Sequence, residues 1–302
     1  MSIDIEQLRK EIFGRNGFAS WLREEIFGRS RFASWLQAKK KLSGKVLAEL
    51  AQKQIQEELG PVKCKNVNKY LCRLLDFEYE IYLELEREII DSAVEVFLNA
   101  DEQRRGEYPK LKELFNELQR LLEQRDSETR ETLIAVSKRL SQFYKLLMES
   151  FAQSRKTRAG VSAQYHVEFI LNQLGYQDLF ERQRKLNGKV DFLFPSFAMW
   201  QKDQRRCTVL SLKRTLRERH KQVFEELLAT RGLTVYLMST QTESEARKDI
   251  TAEKVQRLNE QNVYLVVRDA IKQKRFPEET SVLGFTDFFC KELPRLKKNW
   301  ED

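Results

Sequence analysis

The 302-residue chain is poor in the residues that build zinc sites and disulfide frameworks, with four cysteines and two histidines. The cysteines are scattered without Cys-x-x-Cys spacing, so both kinds of site lack ligands. No stretch approaches the roughly 18 uninterrupted apolar residues that a membrane helix requires. The N-terminus alternates charged and apolar residues, unlike a secretion signal. We therefore expect a protein of the reducing cytoplasm without a disulfide framework, its cysteines being Cys64, Cys72, Cys207 and Cys290.

Apolar and charged residues make up 41% and 33% of the sequence, which excludes a disordered tail protein and predicts one large domain or two modest ones. Lysine and arginine outnumber aspartate and glutamate by 54 to 46, a formal net charge of +8. Residues 182–221 alone hold twelve basic residues against three acidic ones. Such a local excess is typical of phosphate binding, so the charge favours a polyanionic partner.

A short motif is duplicated near the N-terminus. Residues 11–22 return at 25–36 with ten of twelve positions identical, at a spacing of fourteen residues. Two copies are too few for a solenoid, which needs about three repeats to bury a continuous core. The duplicated motif at 11–36 is therefore interpreted as a packing or dimerisation hairpin, with DNA contact as the open alternative.

The hydrophobic pattern divides the chain into a helical part, residues 1–152, and an α/β part, residues 153–302. Helical periodicity predicts helices at 45–59, 67–99, 109–125 and 127–154, and then at 162–174. Beyond Gly175, apolar strand-like runs alternate with helical stretches, which predicts a sheet with at least some parallel pairing. The predicted strands are 190–194, 208–212, 233–238 and 263–267, and the predicted helices between them are 216–231 and 243–260.

Two charged residues stand beside the first two predicted strands. Asp191 opens an apolar strand, where an ionised carboxylate is costly without a nearby cation, and Lys213 follows the next strand. Neighbouring strands bring both to one edge of a sheet. A carboxylate that binds Mg²⁺ and a lysine that activates water can together cleave a phosphodiester. The alternative is a purely structural salt bridge between the two strand ends.

A hard-oxygen Mg²⁺ site needs a second carboxylate. The strand position two residues before the lysine is Ser211 and cannot serve. The candidates are Glu226, thirteen residues after Lys213, its neighbour Glu225, and Glu168 on the predicted helix 162–174. The residues alone leave this choice open.

Residues 154–228 resemble the type II restriction endonucleases of the EcoRII, PspGI and SsoII group, within the PD-(D/E)XK nuclease superfamily. Arg-Lys-Thr-Arg-Ala-Gly at 155–160 is similar to the family's Arg-Lys-Ser-Arg-Ala-Gly. Lys-Val-Asp-Phe-Leu-Phe-Pro-Ser at 189–196 resembles its Lys-Pro-Asp-Phe-Ile-Phe-Pro-Ser strand, with Val190 in place of proline. Leu-Ser-Leu-Lys at 210–213 matches its lysine strand, and Arg-Glu-Arg at 217–219 resembles the element that reads CC:GG.

The resemblance implies a restriction-endonuclease-like mixed sheet flanked by helices, with a catalytic core at 153–302 after a mainly helical N-terminal region. It also implies a Mg²⁺-dependent endonuclease of the prokaryotic cytoplasm, acting as a homodimer on double-stranded DNA beside a cognate DNA methyltransferase. The catalytic residues would be Asp191, Lys213, Glu226 and Glu168, of which Asp191 and Glu226 would hold the metal. Base recognition would fall to Arg217, Glu218 and Arg219, and phosphate contacts to Arg155, Lys156 and Arg158.

Physical chemistry supports the reading element independently, because arginine donates two hydrogen bonds to guanine and glutamate accepts one from cytosine. The alternative interpretation of Arg-Glu-Arg at 217–219 is an ordinary charged turn exposed to solvent. A catalytically inactive DNA-binding regulator with the nuclease fold, and a nick-directed or repair nuclease, are the competing functions. We expect His166 and His220 to have hydrogen-bonded structural or phosphate-contacting roles.

Overall fold

The computed structural model describes residues 44–98, 109–123, 129–182, 190–216 and 234–301. The duplicated motif at 11–36 lies outside the described residues, as does nearly all of the predicted helix at 216–231. Contacts divide the chain into two compact units. One comprises Met1–Val46 and Glu80–Arg158, and the other Leu47–Tyr79 and Ala159–Asp302. Residues 47–79, which the sequence pattern groups with the helical part, thus belong to the same unit as the sheet.

The N-terminal helices follow the predicted periodicity closely. They are α1 (Gly44–Leu59), α2 (Val67–Leu98) and α3 (Pro109–Glu123). The next helix, α4, runs unbroken over Thr129–Gln173, so the predicted gap between 154 and 162 is wrong. The stretch contains no proline, and its single glycine, Gly160, weakens a helix without ending it.

Six strands form one sheet within the described residues, in the spatial order β1 to β6. The first three pair antiparallel, and β3 to β6 are parallel, which confirms the expected mixed sheet. The strands β1 and β6, two and three residues long, were not predicted, whereas the equally short β2 was predicted because it ends the apolar run at 190–194. The strands are β1 (Glu181–Arg182), β2 (Phe192–Phe194), β3 (Thr208–Lys213), β4 (Val235–Ser239), β5 (Val263–Val267) and β6 (Val282–Gly284).

Shorter helices connect and flank the strands. The predicted helix 243–260 is two helices, because the Thr251 side chain accepts a hydrogen bond from the Lys254 N–H and begins a new one. A π-helical turn, Phe288–Glu292, joins the last two helices. The helices are α5 (Phe197–Lys202), α6 (Glu243–Asp249), α7 (Ala252–Asn259), α8 (Asp269–Arg275), α9 (Phe285–Asp287) and α10 (Leu293–Glu301).

The central strands are buried on both faces, as expected for parallel strands covered by helices. Alternate residues of β3 therefore enter two different hydrophobic clusters. Leu210 and Leu212 pack in the cluster that contains Val167 and Ile170 of α4, whereas Val209 packs in the other one. That second cluster includes Ile250, Val255 and Leu258, from α7 and the residues before it.

Cys64 and Cys290 form a disulfide, with their Cα atoms 5.6 Å apart. The bond joins the turn after α1 to the π-helical turn Phe288–Glu292. The expectation that the cysteines form no disulfide is therefore wrong for this pair. Sequence spacing carried no signal because 226 residues separate the two cysteines and only the fold brings them together.

Candidate active site

The sheet register brings Asp191 to the end of β3. Phe192 pairs with Leu210, so Asp191, one residue earlier, faces the stretch that ends at Lys213. One carboxylate oxygen accepts hydrogen bonds from the Leu212 backbone N–H, at 2.6 Å, and from the Ser211 hydroxyl, at 3.3 Å. Asp191 and Lys213 therefore lie at one edge of the sheet, where the strand pattern predicted them.

Burial dominates the electrostatics of Asp191. Removal from water raises the pKa of this carboxyl, while the Leu212 N–H, the charge of Lys213 and the side chains of Gln164 and Ser211 oppose the rise, and the net pKa is above the ordinary value. The carboxylate is thus only partly compensated by its neighbours. A cation placed beside it would stabilise the ionised form.

The helix group that contacts Asp191 is Gln164, which sequence reasoning missed. Its side-chain amide donates a hydrogen bond to the second carboxylate oxygen of Asp191. Glu168, one turn further along α4, instead forms an ion pair with Arg182 of β1. The signal that was available is the spacing of four residues between Gln164 and Glu168, which places both on one helix face.

Arg182 is fixed on a second side as well, since its guanidinium carbon lies 3.9 Å from the centroid of the Tyr165 ring. Glu168 and Tyr165 therefore dock β1 onto α4. The contacts described for Glu168 belong to this docking, so its supporting role in catalysis stays a prediction.

Several predicted site residues lie outside the described part of the chain. These are Glu226, the predicted second metal ligand, and the whole reading element, Arg217, Glu218 and Arg219. The side chains of Arg155 and Lys156 also lie outside it, whereas the Arg158 guanidinium lies 5.4 Å from the centroid of the Tyr82 ring. The roles assigned to all of these residues stay predictions.

The chain that leaves the lysine strand is held by hydrogen bonds. The Lys213 carbonyl accepts from the Thr240 N–H at 3.1 Å. Three residues later, the Leu216 N–H donates to the buried Asp249 carboxylate at 2.6 Å. The path between residues 213 and 216 is therefore fixed at both ends.

A cleft of about 250 Å³ opens beside the carboxyl ends of β3 and β4. Tyr79 and Arg214 line it, with the Arg214 guanidinium 5.1 Å from the ring centroid, and Thr240 and Arg268 complete its walls. The carboxyl ends of parallel strands are where open α/β sheets bind ligands. The cleft therefore lies at the end of the strand that carries Lys213, and the next residue, Arg214, lines it.

His166 does not have the role expected of it. The ring is fully buried, burial lowers its pKa to about 3, and neither ring nitrogen has a hydrogen-bond partner among the described residues. A hydrogen-bonded or phosphate-contacting role is therefore wrong, and the neutral ring serves as core packing. His220 lies outside the described residues.

Comparison with known proteins finds similarity to restriction enzymes. The family model "EcoRII C terminal" matches residues 119–289, more than half of the chain. The type II restriction enzyme SsoII of Shigella sonnei is 26% identical over 161 residues, which are 51% of this chain and 50% of that protein. The chain thus spans about half the length of this curated relative.

Two solved structures share the fold. Metal-depleted Ecl18kI in complex with uncleaved DNA matches with a TM-score of 0.65 and 20% identity, over 89% of this chain and 83% of that one. A complex of restriction endonuclease PspGI with substrate DNA matches with a TM-score of 0.55 and 15% identity, over 85% and 93%. The expected restriction-endonuclease-like α/β fold is confirmed. Within the described ranges, no helix is long and apolar enough to cross a bilayer.

Proposed function

Because this chain belongs to the EcoRII C-terminal family, we propose that it is a type II restriction endonuclease that hydrolyses both strands of DNA at a specific site. The observation that carries the proposal is the placement of Asp191 against the end of the strand that carries Lys213. The relatives are restriction enzymes or restriction-enzyme–DNA complexes by name, which supports DNA as the substrate.

The donor chemistry of Asp191 fits Mg²⁺, which prefers oxygen ligands. Its carboxylate is partly buried and its pKa is raised, so a divalent cation would supply the charge compensation that the described neighbours do not. Among the described residues, no three histidine, cysteine, aspartate or glutamate side chains cluster as a metal site, and Glu226 is proposed as the second ligand. Mg²⁺ bound here would supply charge neutralisation on the phosphate.

The protein groups then divide the remaining work. Lys213 positions the attacking water and stabilises the charge that develops on the phosphoryl oxygens. The water oxygen loses a proton and bonds to phosphorus as the bond to the 3′ oxygen breaks, and the 3′ oxygen takes up a proton, which leaves a 5′-phosphate and a 3′-hydroxyl. Glu168 is proposed to support the site from α4.

Sequence discrimination is assigned to three residues that follow Lys213 closely in the chain. Arginine bonds to guanine O6 and N7, and glutamate to cytosine N4, so the element suits CC/GG half-sites such as those of CCNGG, CCWGG or a flanked variant. A homodimer would match the two-fold symmetry of such a site, and a cognate methyltransferase would protect host DNA. The readers are Arg217, Glu218 and Arg219, and the phosphate contacts are Arg155, Lys156 and Arg158.

The direct test incubates the purified protein with a plasmid of known sequence, with Mg²⁺ or with EDTA, and sequences the fragment ends. We expect discrete Mg²⁺-dependent fragments that end at CC/GG sites. Lys213→Ala should lower the cleavage rate by about two to three orders of magnitude and leave DNA binding intact, because the lysine acts on the transition state.

The matched control is Lys202→Ala, which removes an exposed lysine from the same basic segment. Cleavage by Lys213→Ala at the wild-type rate would refute the lysine assignment. DNA that stays intact but shifts in a gel, whether methylated or not, would favour the inactive regulator.

A further inference from the structure

Asp249, at the end of α6, is a buried acid that the proposed reaction does not use. Its side chain is 1% exposed, and it accepts hydrogen bonds from the Leu216 N–H at 2.6 Å, the Gln241 amide at 2.8 Å and the Lys254 ammonium at 2.9 Å. Burial raises the pKa of Asp249, but these donors outweigh it and the net pKa is below the ordinary value. Three donors that converge on one carboxylate select the anion.

The Asp249 cluster is also tied to the end of β4. The Gln241 side-chain oxygen accepts from the Ser239 hydroxyl at 3.1 Å. Ser239 is in turn the register partner of Lys213 in the parallel β3–β4 pair. These hydrogen bonds therefore connect Ser239, which lies beside Lys213 in the sheet, with Asp249, which binds the Leu216 N–H.

Asp249 stands on a fixed support. Arg275 of α8 donates to the Ala246 carbonyl at 2.6 Å and to the Ile250 carbonyl at 2.7 Å, one on each side of Asp249 in the chain. Leu216 is equally constrained, since its side chain is 4% exposed and packs in the second hydrophobic cluster. The bond between Asp249 and Leu216 thus joins two rigid parts of the fold.

We propose that Asp249 is a positioning residue for sequence discrimination, because it fixes the point from which the chain enters the reading element at 217–219. This inference rests on the proposed function. Leu216 directly precedes Arg217 in the sequence, and only three residues separate Lys213 from Arg217. Bidentate bonds to a base edge tolerate little displacement, so the anchor of the preceding residue sets how well they form.

The test compares binding to specific and random DNA without metal, as the ratio of the two dissociation constants. Because Asp249→Ala would leave Lys254 without its carboxylate partner and risks unfolding, the main variant is Asp249→Leu combined with Lys254→Met, which replaces both members of this ion pair by apolar groups. We expect this ratio to fall by about one to two orders of magnitude, since the chain entering the readers is displaced. Affinity for random DNA should stay at the wild-type value.

Two further variants separate positioning from general destabilisation. Glu253→Leu with Arg257→Met removes another acid–base pair of α7 and should keep the wild-type ratio. Asp249→Asn keeps an oxygen acceptor for the Leu216 N–H and should retain most of the discrimination. Thermal melting of each variant reports on folding independently.

A folded double variant with the wild-type ratio would overturn the inference, as would an equal loss in the Glu253/Arg257 control. Failure of the proposed function itself gives a different pattern. The wild-type protein would then not discriminate between the two DNAs, or Arg217→Ala would leave its ratio unchanged.

Discussion

At the scale of single residues, Gln164 places a neutral group against a partly buried carboxylate, that of Asp191. Its amide donates a hydrogen bond to Asp191 and adds no charge, so it orients the carboxylate without competing with a cation. The Ser211 hydroxyl and the Leu212 N–H hold the opposite oxygen. The geometry of Asp191 is therefore set by neutral donors from α4 and β3.

Replacement of Gln164 should weaken the proposed metal site. We expect Gln164→Met to raise the Mg²⁺ concentration for half-maximal cleavage by about tenfold, because partners that orient a ligand typically contribute that much to metal affinity. Metal-free DNA binding should not change. The control is Gln173→Met, at an exposed glutamine on the same helix. An unchanged Mg²⁺ requirement in Gln164→Met would mean that the amide has no part in orienting Asp191.

The sequence predicted one part of this site well and another not at all. Asp191 and Lys213 were predictable because strand pairing follows from apolar runs and places strand ends together. Gln164 and Asp249 were not, because their contacts join residues 27 and 33 positions apart through helix packing. The four-residue spacing between Gln164 and Glu168 predicts a shared helix face, but it does not identify the distant group that the face contacts.

At the scale of secondary-structure elements, α4 shows how a glycine can mislead. Gly160 lies in the helix interior, is exposed, and has open space where a Cβ would stand. Gly175 is different: with φ at +84°, it forms the helix end, where the Tyr176 N–H bonds to the Leu171 carbonyl. The same residue type thus has opposite meanings fifteen positions apart.

The two glycines give a matched pair of substitutions. Gly160→Ala should raise the free energy of unfolding by about 1 kcal/mol, since alanine favours a helix interior. Gly175→Ala should lower it by about 1–2 kcal/mol, because an L side chain disfavours the left-handed conformation. Urea denaturation of both variants measures the difference. A loss of stability in Gly160→Ala would show that α4 is not a regular helix at this point.

The strand predictions succeeded where the apolar pattern was long. β5 was predicted at its observed bounds, and β3 and β4 within one or two residues, because a fully buried strand reads as a continuous apolar run. The helices at 243–260 were merged because the Thr251 cap interrupts the helix without changing its period. The hydrophobic pattern reports which residues are buried, whereas the break between α6 and α7 depends on a single hydrogen bond of the Thr251 side chain.

At the scale of the whole molecule, the Cys64–Cys290 disulfide closes most of the chain into a loop. It joins residues 226 positions apart, both in the unit that carries the sheet. A cross-link over so long a loop restricts the unfolded chain strongly. The covalent loop therefore stabilises the same unit that holds the candidate site.

Loss of the disulfide should destabilise the protein measurably. We expect Cys64→Ser to lower the free energy of unfolding by about 2–4 kcal/mol, mainly by freeing the unfolded chain. Denaturation curves recorded with and without a thiol reductant provide the check, because the variant and the wild type should differ only without reductant. Cys207→Ser, at a buried cysteine outside the disulfide, is the control. A difference that persists under reduction would indicate lost packing instead.

The same bond makes the molecule resistant to separation by a single cut. Every peptide bond between residues 64 and 290 lies inside the covalent loop, including those on both sides of Lys213 and the reading element. A protease that cuts once in this span would leave one molecule of unchanged mass apart from an added water. The two pieces would run apart on a gel only after reduction, so a nicked chain would keep both halves of its candidate site together.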